Sequence, residues 1–522
     1  MSPSQSELRT TGHDAPSGLE PLLMHATDSA AQRTRPIGKF SGRAGVRWGP
    51  EPIDTRRPLV VRFRGREYRW WIAVLSLYAA SRLLSTTFML TLYLVATAAH
   101  WPFASQRENP TFFTFSGSWD SSFYRRIAET GYPTILPTDP TGSILPNPWA
   151  FLPVFPWIVR VITVATGLEF YPAGVFVATL AGAGAALTLF RLVAARASTH
   201  GAIWATAFFC FSPVAFILQT AYAESLFFLF VFAALWGMIA RRYWLVLPIG
   251  VLAAFTRPGA LAIPLALAII GVVRLRQSRR MARPRHPAGM TRVAMCEHSD
   301  PTGQSCSPGS VGQSCLLGPA GQSCSPDSVG QSCSPDSVGQ SRSLDSGSRS
   351  HLPDRLPVRD IVAITTTGLV TAVAGLGWPV IAAAVTGVPD AYLRTELSWW
   401  TGFVGHVSFV PLTPWFIFAN TYLGIGGILL VASVLAGLCW LLTRRSVRVL
   451  GVEIVGFSSA YLLYLIAVFL PQQSTFRLLM PLAPLGAARG LTEYRAPRRA
   501  LLFGGMALQP VALVLLWFVG YP

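Results

Sequence analysis

The chain has 522 residues, 51% of them hydrophobic and only 13% charged, with a positive mean hydropathy. Repeated apolar runs of about 20 residues, the length that crosses the hydrocarbon, exclude a soluble globular protein and define an all-α polytopic membrane protein. The net charge of +18 falls in short basic clusters between those runs and in two polar segments. That is the pattern of cytoplasmic loops rather than of a nucleic-acid face.

Residues 1–68 are rich in Ser, Pro, Gly and Arg and are expected to form a disordered tail. The cluster Arg56, Arg57, Arg62, Arg64, Arg66 and Arg69 before the first run puts that tail in the cytoplasm. No early apolar segment resembles a signal peptide, so insertion is expected to rely on the first span. Apolar runs then predict about eleven transmembrane helices near 70–97, 173–195, 203–220, 224–240, 243–256, 259–275, 360–386, 414–441, 449–470, 478–491 and 500–519. The stretch 150–166, with Pro153 and Pro156, is expected to be an interfacial helix within a first extracytoplasmic loop at 98–172. Alternating the spans brings Arg191, Arg196, Arg241, Arg242, Arg274, Arg444, Arg445, Arg448, Arg495, Arg498 and Arg499 to the side of the tail. The chain thus divides into the tail, an N-terminal membrane module at 69–275, a cytoplasmic loop at 276–358 and a C-terminal membrane module at 359–522.

Within that loop, between Gly303 and Gly347, a nine-residue unit recurs five times, as in "GQSCSPDSV". The units lack the regular apolar positions that a stacked solenoid would bury, so they read as disordered. They carry Cys306, Cys315, Cys324 and Cys333, with Cys296 just before them, while Cys210 and Cys439 lie in apolar runs. No C-x-x-C pair or His/Cys cluster suggests a metal, and no cofactor is implied. Lys39 is the only lysine, which fits the coding bias of a GC-rich genome better than phosphate recognition.

The stretch "GSWDSSFYRRIAETGYP" (117–133) follows the first span. Wound as a helix, it puts Trp119, Asp120, Phe123, Tyr124 and Ile127 on one side and Ser121, Ser122, Arg125, Arg126 and Glu129 on the other. Asp120 therefore sits in an aromatic stripe with no basic residue at helical spacing on its own face. Unless a long-range partner or a substrate meets it, such a carboxylate is desolvated and inclined to take up a proton. Glu129, four residues after Arg125, reads as a surface pair.

The topology sends four more polar stretches to the same side: "AYAES" (221–225), "FTRPG" (255–259), "YLRTELSWW" (392–400) and "PQQSTFR" (471–477). They bring Tyr222, Glu224, Arg257, Arg394, Glu396, Gln473 and Arg477 to span ends, where with Trp119, Asp120 and Tyr124 they can line one cavity. Guanidinium groups grip phosphate, aromatics face sugar or isoprenoid, and a carboxylate takes a proton. Pairing within the bundle is an equally open reading of Glu224, Glu396 and Arg394. Trp399 and Trp400 read as interface-belt aromatics.

"WDSSFYRRIAETGYP", "FLPVFPWIVRV" (151–161), "AYAESLFFLF" (221–230) and "FTRPG", in that order, resemble the family of the second GPI mannosyltransferase (PIG-V) and its bacterial relatives, within the C-type glycosyltransferase superfamily. "QQSTFRLLMPLAPL" (472–485) is similar to the family's late Arg-containing segment. The resemblance implies an inverting transferase that moves a sugar, expected to be mannose, from a polyprenyl-phosphate carrier to a glycan, glycolipid or protein hydroxyl. The reaction would occur on the outer face of a bacterial plasma membrane. By motif position it makes Asp120 the catalytic base and Arg257 and Arg477 the groups that stabilise the lipid-phosphate leaving group. A transporter or lipid flippase, or a non-catalytic subunit of a glycosyltransferase complex, are the alternatives. The gathering of charge at span ends and the lack of an internal repeat among the spans weigh against a translocation path. Cysteines engineered on either side of position 120 are expected to react with a bilayer-impermeant label in intact cells; reaction only after lysis would overturn this orientation.

Overall fold

The computed structural model describes residues 59–63, 66–101, 110–282 and 357–520. The expected tail through residue 58, the nonapeptide units and their cysteines, and Cys296 lie outside the described residues. Residues Gln277–Arg355 separate as a unit of their own. The rest is helical apart from one short ribbon. That ribbon corrects the tail's boundary: Val60–Phe63 (β1) pairs antiparallel with Arg66–Arg69 (β2), Val60 opposite Arg69, and Val61 is buried. Alternating β-branched and long residues next to the first span supply a strand pattern that composition alone conceals.

The principal helices are α1 (Trp70–Ala98), α2 (Ser121–Thr130), α3 (Val154–Thr166), α4 (Phe170–Ala194), α5 (Thr199–Cys210), α6 (Glu224–Ile239), α7 (Tyr243–Ala254), α8 (Ala262–Ala282), α9 (Val358–Thr386), α10 (Ala391–Ser398), α11 (Pro414–Thr443), α12 (Val452–Val468) and α13 (Arg495–Leu513). Among the described residues six helices are long and apolar enough to cross a membrane: Trp70–Ala98, Phe170–Ala194, Pro258–Arg279, Val358–Thr386, Pro414–Thr443 and Arg495–Val519. The other five expected spans are not single helices of that length. At 1.5 Å per residue, the 12 residues of α5 cover about 18 Å of a hydrocarbon layer roughly 30 Å thick. The expected 203–220 span stops at Cys210 and continues as a 3-10 turn over Ala215–Gln219. The expected 478–491 span is replaced by Thr475–Leu478, a 3-10 stretch Met480–Ala487 and Arg489–Thr492. Pro481 and Pro484 lack the N–H that a continuous α-helix needs, and apolarity alone hides that.

The bundle packs through small residues. Gly174, Ala178, Ala181, Gly182 and Ala185 bring α4 close to its neighbours, as helix contacts in lipid require. A Cβ on Gly174 would come within 2.8 Å of Ala221 Cβ. Expected as an interfacial helix, α3 is a helix of 13 residues. With α2 and the start of α4 it encloses an aromatic core of Tyr124, Phe151, Phe155, Phe170 and Tyr171. Gly117 lies against the Tyr171 ring, where any side chain would collide.

Helices α4 and α8 run between two clusters of charge. At the end opposite Asp120, Glu453 is 1% exposed and binds Arg196 at 2.6 Å and Arg274 at 2.7 Å. These are two of the arginines that the span count groups together, joined by a carboxylate at the start of α12. Breaking a buried pair by deleting one partner costs about 3–5 kcal/mol. Glu453→Leu is therefore expected to lower the thermal unfolding midpoint of the purified protein far more than Glu493→Leu, whose partner Arg489 is exposed at 3.8 Å.

Candidate active site

Trp119 does not continue the helix as the sequence suggests. Trp119 lies in the left-handed region at φ +57°, a conformation that costs an aromatic residue energy and persists where surroundings impose it. Its indole N–H donates to Trp517 O at 2.7 Å. Asp120 is the N-cap residue of α2, and its side chain makes no capping bond. The inward face of α2 consists of Ser121, Tyr124, Ile127 and Ala128, so Ser121, expected on the polar side, is buried and donates to Ala221 O at 2.9 Å. Only Trp119 leaves the helical path; Asp120 keeps helical angles itself, φ −54° and ψ −28°.

It points at Arg477. The guanidinium Nη2 donates to Asp120 Oδ2 at 2.6 Å, and Nη1 lies 3.0 Å from Glu224 Oε1. Glu224, the first residue of α6 and 1% exposed, also meets Arg257 Nη1 at 2.5 Å. The long-range partner that the sequence left open for Asp120 is thus Arg477, 357 residues away. The bundle pairing left open for Glu224 is the arrangement found. Tyr222, fully buried, accepts from Asp120 N–H at 3.1 Å, donates to Ser118 O at 3.2 Å, and lies under the Arg477 guanidinium, 5.1 Å from ring centre. Burial opposes the charge on Arg477, but Asp120 and Glu224 more than offset it and hold its proton more tightly than usual.

The remaining candidate positions fall out differently. Glu396, on α10, is the carboxyl group that its surroundings push up, to about 7 from 4.5, because burial disfavours its charge; a Tyr392 hydrogen bond and Arg257 pull it down, while Asp120 raises it. Its helix is docked by Asn147 Nδ2 donating to Thr395 Oγ1 at 2.9 Å and by packing against Trp149 and Trp378. Arg394, by contrast, is 46% exposed and 4.0 Å from Asp390, and Gln473 lies against Gly520. Tyr124 packs edge-on against Phe151, Phe155 and Tyr222. Trp399 belongs to the same aromatic wall, edge-on to Phe123 and Phe151.

Some polar capacity at the site is unused. Glu224 Oε2 and Arg477 Nε are buried without a hydrogen-bond partner among the described residues, and so is Trp399 Nε1. Buried polar groups left this way cost about 1–3 kcal/mol each; Trp236 Nε1, Thr371 Oγ1 and Arg448 Nε, away from the site, are in the same state. No group of three or more His, Cys, Asp or Glu able to hold a metal occurs among the described residues. Sequence reasoning missed Trp517, whose carbonyl fixes Trp119 and which nothing in its apolar run distinguishes. It also missed Arg82, a lone cation inside the first span.

A buried lattice of carboxylates and guanidinium groups at one end of an apolar helical bundle belongs to an integral membrane protein built for polar chemistry at its membrane edge. Residues 69–262 match the family described as mannosyltransferase (PIG-V). The segment carrying Asp120, Tyr222, Glu224 and Arg257 thus lies within the match to that family, which together with the apolar helices supports a membrane glycosyltransferase. No curated protein matches the chain, and no solved structure does. Arg477 lies beyond the matched segment and joins it in space.

Glu396 gives a pH signature. Below about 4.5 folded and unfolded chains both carry its proton; up to about 7 only the folded chain does, so its contribution to stability is lost as pH rises across that window. The thermal midpoint of the native protein is expected to fall relative to that of Glu396→Gln as pH rises from the lower to the upper value. A constant difference would refute the assignment.

Proposed function

We propose that the protein is an inverting mannosyltransferase of the C-type superfamily. It moves mannose from a polyprenyl-phosphate carrier to an extracytoplasmic hydroxyl of a glycan, glycolipid or protein at the plasma membrane of a bacterium. The observation that carries this reading is the Asp120–Arg477–Glu224–Arg257 chain of ion pairs. It supplies a base and a leaving-group clamp within contact of each other.

In this reading Asp120 accepts the proton of the acceptor hydroxyl as the oxygen attacks the anomeric carbon from the face opposite the phosphate. The bond from that carbon to the phosphate oxygen breaks, its electron pair leaves with the carrier phosphate, and a β-linked donor gives an α-linked product. Proton arrival at Asp120 removes one of the two anions that Arg477 neutralises. The positive charge thus released matches the charge gathering on the leaving phosphate, with Arg257 beside it. Preorganised charge of this kind lowers a barrier by about 3 kcal/mol per contact. Tyr222 fixes the Asp120 backbone, Trp119 and Tyr124 form the wall of the sugar cavity, and Glu396, carrying its proton near neutral pH, leaves the two arginines and two carboxylates balanced.

Purified protein given labelled polyprenyl-phosphate mannose and a membrane extract is expected to transfer label to an acceptor. General-base catalysis contributes on the order of 10²- to 10⁴-fold, so Asp120→Asn at normal protein level should lose at least about 100-fold. Retention of most activity would remove Asp120 from the mechanism. Arg257→Gln and Arg477→Gln should impair donor use; unchanged donor affinity and turnover in both would break the clamp.

A further inference from the structure

Arg82 is the thirteenth residue of α1, about 18 Å along a helix that otherwise reads as a lipid-crossing span. It is 7% exposed, and no carboxylate lies within ion-pair distance among the described residues. A cation at that depth demands an explanation, because burying one unpaired is costly.

Its partners are the backbone of a broken helix. Arg82 Nη1 donates to Ala215 O at 2.7 Å and Nη2 to Cys210 O at 3.2 Å. Both Nε and Nη2 lie 3.4 Å from Ser81 Oγ, whose own proton goes to Tyr78 O at 2.7 Å. Cys210 ends α5, so its carbonyl belongs to the last turn, which has no intrahelical donors, and it stands at the negative end of the helix dipole. The guanidinium thus takes from that helix end both the hydrogen bonds and the countercharge that a carboxylate would otherwise supply. Gln509 does likewise, its Nε2 donating to Ser212 O at 3.4 Å while its Oε1 accepts from Ser85 Oγ at 3.3 Å, and Gln219, inside the break, ties it to α1 with its amide 3.1 Å from Thr86 Oγ1. Irregular backbone at membrane depth is tolerated only where protein satisfies it.

We propose that Arg82 is a positioning residue: it stabilises the break between α5 and α6 and so sets the path of residues 211–223, which deliver Tyr222 to the Asp120 backbone and Glu224 to Arg257 and Arg477. A cation serving a translocation path would face water, whereas this one is enclosed by carbonyls. The link to transfer rests on the function proposed above; the link to the break does not.

Hydrogen exchange of the purified protein in lipid nanodiscs separates the two. A hydrogen bond from a charged group is worth enough that losing several should raise local opening at least about tenfold. Arg82→Met is therefore expected to speed exchange that much in peptides covering 211–223 while leaving 170–194 unchanged, and Arg82→Lys, which keeps the charge, should recover part of the protection. Mannosyl transfer should fall in turnover for Arg82→Met and recover in Arg82→Lys. If Arg82→Met does not accumulate, Arg82→Gln replaces it with the same local pattern expected. Unchanged exchange at 211–223, or an equal rise across all spans, would overturn the role of Arg82. Absence of transfer by the native protein with the local exchange pattern intact would overturn the transferase reading alone.

Discussion

One guanidinium, that of Arg477, holds the site together. It touches carboxylates from two parts of the chain, Asp120 before α2 and Glu224 at the start of α6, and it covers the ring of Tyr222 between them. Taking these charges out of water costs more than a single pair returns, so the arrangement is stable only as a network with each ion shared. The same sharing makes it responsive: the protonation state of either carboxylate alters what Arg477 can offer to a third anion. Glu224 Oε2 and Arg477 Nε are left without partners within that network.

Around this lattice the fold solves a second constraint, the cost of unpaired backbone in an apolar solvent. Residues 211–223 and 471–487 are both irregular stretches inside a helical bundle, and the two meet at the site. Each is enclosed by protein: the first by Arg82, Gln219 and Gln509, the second by packing of Met480–Ala487 against α5. Discontinuous segments put side chains such as Tyr222 and Arg477 at angles that a continuous helix cannot reach, which is why the chemistry gathers there.

Much of this was legible in the sequence. The apolar runs marked six helices of crossing length, the motif order marked the family over 69–262, and the alternation of basic clusters brought Asp120, Glu224, Arg257 and Arg477 to one end. What was not legible has physical causes. Hydropathy measures apolarity and not helicity, so it could not tell α5 and its 3-10 continuation from one span, nor see that Pro481 and Pro484 divide the late segment. Helical periodicity put Asp120 on a face with Trp119 because it assumes a helix already under way; the left-handed Trp119 breaks that assumption, while Asp120 keeps helical angles. The partner of Asp120 was invisible because no local pattern reports a contact spanning 357 residues. Composition likewise placed the end of the tail at residue 68, although Val60–Phe63 and Arg66–Arg69 form a ribbon.

The spacing of these partners along the chain has a consequence for biogenesis. Glu224 and Arg257 flank a helical hairpin, α6 and α7, and can neutralise each other as soon as that hairpin enters the bilayer. Asp120 emerges earlier yet has to wait for Arg477, synthesised 357 residues later. Until then the nascent protein keeps a hydrated acid at the membrane edge, and the lattice closes only when the later helices join the earlier ones.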